Sequence, residues 1–361
     1  MDHFEGNERK TAPNLRVMWL LLALLAAASL FAADFGFATR MLGMVFLMIF
    51  LGIFTVILMS CRPAVTVATA ILSFAVFYLA SGMMWEPLIY CAIGLVGALL
   101  LSMAIRRKST KTSAVLTVAA VLGVCFLILA AVTYAMAGHS LAPKDVLADI
   151  GNYFEAVKAE MVEDMRASIN AISDTQMAYY ERLGITREDL LAASIENVKT
   201  SVDLVMMLLP SITLISLQVL ACIAVCAFSV TVRRCRYDAL LPEPRWILYP
   251  TKVSCVIYWI AAVLYLISRF FNAFSAFSVV VTNFFYVILP PMGACGVRGL
   301  RARLRHPMLR RRMIFILILF GAGILFFASA ALPIAVLMLA SLGAGDVFAA
   351  RMAESSEDKK S

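Results

Sequence analysis

The sequence predicts an all-α, polytopic membrane protein, and three features carry that prediction. Hydrophobic residues make up 62% of the 361 positions and charged residues only 15%, against about half and a quarter in soluble domains. The apolar residues are gathered into runs near 20 residues long, the length that a hydrocarbon layer of about 30 Å asks of a helix. Lysine and arginine fall in short bursts between those runs, as in "IRRKSTK", "TVRRCRY" and "HPMLRRRM", the positions where they hold membrane helices in orientation. The same distribution accounts for the net charge of +8 without nucleic acid, which is excluded as a partner. A single buried core is excluded by size, because cores stop growing at about 250–300 residues.

The runs give ten spans, at 17–33, 41–60, 64–81, 87–105, 112–137, 204–232, 251–268, 274–297, 313–331 and 332–347. The polar segment 1–16 precedes the first run without a cleavage site, so that run reads as a retained helix. Within it Ala23 and Ala27 form a small-xxx-small pair suited to helix packing or to a partner contact. Pro63 in "CRP" and Pro333 in "ALPIA" can each begin a new helix after a tight junction. An eight-span alternative makes two of the weaker segments interfacial or re-entrant. The organisation expected is thus a cytoplasmic segment 1–16, a first bundle of five spans at 17–137, an outer segment 138–203, a second bundle of five spans at 204–352, and a disordered tail 353–361.

Orientation follows from counting. With the N-terminus inside, the short loops divide their lysines and arginines 23 inside to 2 outside, which places both termini in the cytoplasm of a multi-pass protein of the cell (inner or plasma) membrane. The long outer segment is acidic, with 12 acidic and 6 basic residues. Its apolar residues Leu147, Ile150, Phe154, Val157, Met161, Met165, Ile169 and Ile172 recur at helical steps. In "RLGITRED", Gly184 supplies a helix stop, Thr186 a cap and Asp189 the third helical position. A second stripe, Leu191, Ile195, Val198, Val202 and Val205, runs on into the sixth span. The two stripes predict an extracytoplasmic antiparallel helical hairpin; the alternative lays its stripe on the lipid headgroups.

Chemistry is sparse. His3, His139 and His306 lie in three separate polar segments, so no catalytic dyad, triad or zinc signature can be assembled. The eight cysteines lie in or beside apolar runs and behave as small apolar residues; Cys222 and Cys226 share a helix face without a nearby histidine. There is no phosphate-binding glycine loop. No enzyme activity, metal or cofactor is therefore expected. Neutral polar residues at depth, Gln218 in the sixth span and Thr282, Asn283 and Tyr286 in the eighth, are the candidate ligand-lining residues, the competing role being hydrogen bonds between helices. In "VILPPMGACGVRG" Pro290 and Pro291 are expected to break the eighth span, and Gly293 and Gly296 to allow close backbone approach. Asp346 and Arg351, in "LASLGAGDVFAARM", are a candidate structural ion pair where the last span leaves the lipid.

The order of "LLPSITLISLQVLACIAVCAFSVTVRR", "LLPEPRWILYP" and "LASLGAGDVFAARM" resembles the YybS-like family of bacterial membrane proteins, which carry a domain of unknown function. Pro210, Trp246, Pro250, Gly343, Asp346 and Arg351 carry the match, over roughly residues 15–352 and most strongly from 204 onward. That family has been grouped by fold with the substrate-binding subunits of energy-coupling-factor transporters. The resemblance therefore implies capture of a small molecule, with a separate energy-coupling ATPase module as partner and Ala23 and Ala27 as the coupling contact. The alternative is a non-transporting scaffold or sensor whose outer hairpin binds an envelope partner.

Overall fold

The computed structural model describes residues 15–32, 37–80, 86–242, 252–268, 270–271, 275–305, 314 and 339–341. The described chain forms α1 (Leu15–Ala32), α2 (Phe37–Ser60), α3 (Pro63–Ala80), α4 (Glu86–Arg106), α5 (Lys111–Met136), α6 (Pro143–Asn170), α7 (Asp174–Arg182), α8 (Arg187–Arg234), α9 (Lys252–Ser268) and α10 (Ala276–Arg305). Among the described residues six helices, α2, α3, α4, α5, α8 and α10, are long and apolar enough to cross a membrane, and α9 is a shorter apolar helix. Apart from 314 and 339–341, the expected spans at 313–331 and 332–347 lie outside the described residues, as does the Asp346–Arg351 pair.

The elements begin and end where local chemistry directs. Pro63 stands at the first position of α3, where its missing N–H is one the helix leaves unpaired anyway. Pro143 does the same for α6, with Asp145 in the first turn facing the positive end of the helix. The arm expected as one helix, with its stripe over 147–172 and its stop at Gly184, is two. It stops at Asn170 and resumes at Asp174 as the short α7, after which Gly184 takes the left-handed conformation at φ +77. Two backbone bonds, Ile185 N–H to Tyr180 O and Gly184 N–H to Glu181 O, close that end.

The chain divides into two compact units, one made of residues 1–126, 214–258 and 289–361, the other of 127–213 and 259–288. In the first, α2 is the central helix. Leu47, Met48, Phe50, Leu51, Phe54 and Ile57 are all buried, and α2 packs most extensively on α1 and α4. Between membrane helices there is no water to expel, so association depends on close van der Waals packing, which small residues permit. Gly52 shows this: a Cβ there would strike the carbonyl oxygen of Ala224 and stand 2.8 Å from both the Ala227 Cβ and the Phe228 nitrogen of α8. Gly296 in α10 is equally tight against the backbone of Leu339. Buried hydroxyls are bonded back to their own helices, Thr55 to Leu51 O at 2.8 Å and Ser73 to Thr69 O at 2.7 Å. Among the described residues no buried side-chain nitrogen or oxygen lacks a partner.

α10 departs from expectation. It continues through Pro290 and Pro291 to Arg305 instead of stopping at the proline pair. The two prolines deprive the carbonyls of Tyr286 and Val287 of their helical donors. The helix continues nonetheless, and Leu289 and Met292 beside the proline pair are buried.

Replacing Gly52 by leucine is expected to cost about 1–3 kcal/mol through overpacking against the α8 backbone. Gly151→Ala, on an open helix face, is expected to be neutral or stabilising by up to about 1 kcal/mol. Thermal unfolding of the detergent-solubilised variants measures both.

Candidate functional site

The second unit holds the polar chemistry. α8 carries Pro210 in its interior. A proline in a helix removes one hydrogen bond and pushes its ring against the carbonyl four residues back, which opens the ladder beside it. Asn283 of α10 is bonded to α8 across this turn. Its amide nitrogen donates to Met207 O at 2.7 Å, while its carbonyl oxygen accepts from Ser211 N–H at 3.0 Å. Met207 and Ser211 are the two groups that would bond to each other in an unbroken helix. The side-chain amide therefore stands in for one peptide unit of α8. Its second N–H goes to Val279 O at 2.9 Å in its own helix, so both amide donors are committed.

The hairpin is antiparallel. Lys158 of α6 bridges Asp203 of α8 at 2.8 Å, and Arg187 at the start of α8 donates to Asn170 O and Ile172 O at 3.0 Å each. That guanidinium caps the carbonyls left over at the end of α6, where a cation also suits the helix dipole. Thr186 and Asp189 form the expected capping box: Asp189 N–H donates to Thr186 Oγ1, and Thr186 N–H to Asp189 Oδ2, at 3.1 Å each. Ile169, Met177, Val198 and Val202 are buried between the arms. Asp203, and then Glu155 at 2.7 Å, hold the Lys158 ammonium above its ordinary range. Both carboxylates attract the charged form, so the contribution of Lys158 is present at neutral pH and is lost only in strong alkali.

A third cluster joins the end of α5 to the start of α6. Tyr134 Oη donates to Asp149 Oδ2, His139 Nδ1 lies 3.2 Å from the same oxygen, and the two rings stack with centroids 4.6 Å apart. Sequence reasoning left His139 isolated. The carboxylate that joins it is ten residues on, brought back by the turn at Gly138, where φ is +85.

A family profile described as "Predicted membrane protein (DUF2232)" matches residues 26–293. The chain belongs to that family. No curated protein and no solved structure matches it. The matched stretch of this DUF2232 protein takes in the second compact unit whole and much of the first, with the hairpin, Pro210 and Asn283.

The remaining expected site residues fall as follows. Thr282 is buried in α10 and Tyr286 stands one turn further, its ring edge-on to Tyr265 of α9 at 6.2 Å. Tyr265 in turn stacks on Phe285 at 4.6 Å. Gln218 is half-buried in α8 and belongs to the first unit, whereas Thr282, Asn283 and Tyr286 belong to the second. Ala23 is exposed on α1, and Ala27 lies one turn along the same helix. Trp246, Pro250 and Gly343 lie outside the described residues. The pairing of Asn283 with the Pro210 gap was missed, although an asparagine in one span and a proline in the interior of another were both visible.

Asn283→Ala removes the partner that Ser211 N–H and Met207 O have on α10, and is expected to cost about 1–3 kcal/mol. Pro210→Ala returns an N–H at 210 to Met206 O and relieves the ring's push on that turn, which lets Ser211 N–H close on Met207 O, so the double variant should lose markedly less than Asn283→Ala alone. A double-mutant cycle on thermal stability reads this coupling; strict additivity would contradict the splint.

Proposed function

We propose that this DUF2232 protein is a non-catalytic, multi-pass adaptor or sensor of the plasma membrane, whose α6–α8 hairpin stands outside the cell and docks an envelope protein. The observation that carries the reading is the length of α8. It is one 48-residue helix, its first turns clamped into the hairpin and its later turns apolar enough to cross the membrane. A hairpin built on such a helix is supported at its base, and a partner bound to it pulls on a membrane segment. The acidity of 138–203, with 12 acidic and 6 basic residues, suits a basic partner. Tyr179 and Leu183 near the hairpin bend are exposed apolar residues at 64% and 60%. The 23-to-2 division of basic residues in the short loops supports both termini inside, with about ten spans in all.

A second reading rests on the YybS-like resemblance and on Thr282 and Tyr286, which share one face of α10. In it the protein captures a small molecule for an energy-coupling ATPase module, with Ala23 and Ala27 as the coupling contact. Asn283 has little left to offer a ligand, since both of its donors are engaged within the protein, and that favours the adaptor.

Two measurements separate them. A photo-crosslinking side chain at Tyr179 or Leu183 in intact cells is expected to give one discrete protein adduct, lost when 144–200 is deleted while the remainder still inserts. An ATPase module and a bound small molecule that co-purify with the protein, undisturbed by that deletion, would replace the adaptor by the capture subunit.

A further inference from the structure

The apolar stripe of α6 is unevenly covered. Toward its end Ile169 is buried and Val157 and Met165 are half-buried, with Met161 43% exposed, but toward the start of the helix Leu147 is 69% exposed, Ile150 37% and the neighbouring Tyr153 66%. In water this would be a poor surface for an acidic hairpin. Two independent contacts fix its height. Lys158 is paired with Asp203, and α6 runs antiparallel to α8. Eleven residues back from Lys158 to Leu147 is about 16 Å of helix at 1.5 Å per residue. That distance runs alongside the stretch of α8 beyond Asp203, whose Leu204, Val205 and Met206 are themselves exposed and apolar. Separately, Asp149 is held by Tyr134, which lies inside the membrane-length helix Lys111–Met136.

We infer that the first turns of α6, about residues 143–154, lie in the headgroup layer of the membrane, with Leu147, Ile150 and Tyr153 facing the acyl chains. The occupant of the uncovered part of the stripe is phospholipid. It continues the lipid-facing surface of α5, where Leu127, Val132 and Met136 are likewise exposed. An amphipathic helix with an apolar face and a polar back takes this position in the interface. The Tyr134–His139–Asp149 cluster then has a plain purpose. A carboxylate at that depth is costly unless it is partnered, and Asp149 is supplied with a phenol and an imidazole from the preceding turn. The bend at Gly138 is what returns α6 to the level of Tyr134. The inference concerns the leaflet at the end of α5, whichever side of the cell that is.

Tryptophan fluorescence in nanodiscs holding one copy of the full chain tests it. Emission added by Leu147→Trp or Ile150→Trp is expected to fall when phosphatidylcholine brominated near the carbonyl ends of its chains replaces the unbrominated lipid. Emission added by Tyr179→Trp is expected to stay unchanged. Hydrogen exchange gives a second reading: Leu147→Asp with Ile150→Asp should speed exchange over 143–154 and leave 160–200 as in the parent protein. Equal quenching at positions 147 and 179, or no change in exchange, would overturn the inference. So would protection of these residues that appears in native membranes but not in single-copy nanodiscs, since it would assign the stripe to a protein partner or a second copy.

Discussion

Hydrocarbon offers no hydrogen bonds, and most of what is particular about this chain follows from that. Every peptide group within the bilayer must find its partner inside the protein. Helix formation settles most such groups automatically, and the interesting residues are those that deal with the exceptions. Pro210 creates an exception in α8 and Asn283 repairs it. The loose carbonyls at the end of α6 are taken by Arg187. Serine and threonine hydroxyls in the spans turn back on their own carbonyls, as Thr55 and Ser73 do. Polar side chains in this molecule serve the backbone first.

The same solvent sets how the helices meet. With lipid as apolar as leucine, burial alone gives one helix little reason to prefer another helix over the bilayer. Contact distance decides instead, and Gly52 of α2 lets the α8 backbone come closer than any side chain would allow. Alanines at 221 and 224 are fully buried on the facing helix. The hairpin is held by the ordinary means of a water-exposed protein: a capping box, an ion pair and a thin apolar seam. Its ion pairs belong there, where water makes charge cheap.

Local signals were readable from the sequence, and long-range ones were not. Pro63 at the start of α3, and Gly184, Thr186 and Asp189 between the hairpin arms, act within a few residues of themselves and could be placed from spelling alone. The continuity of the second stripe into the sixth span likewise announced a helix running through both. The break after Asn170 was hidden, because its apolar stripe runs on to Ile172 with no glycine or proline to interrupt it. The run of α10 through Pro290 and Pro291 defied a rule that holds well in water but weakly between membrane helices, where neighbours satisfy what proline frees. The role of Asn283 lay beyond reach for a different reason: its partners are 72 and 76 residues away, and nothing short of three dimensions brings them together.

That separation orders the birth of the molecule. When α8 leaves the ribosome, the Asn283 amide that bonds Met207 O and Ser211 N–H has yet to be translated. Until α10 arrives alongside, the turn at Pro210 lacks the side chain that bridges it. A truncated chain ending before residue 283 thus lacks more than a segment: it carries a flaw in one already made, a mark by which an incomplete copy differs from a finished one.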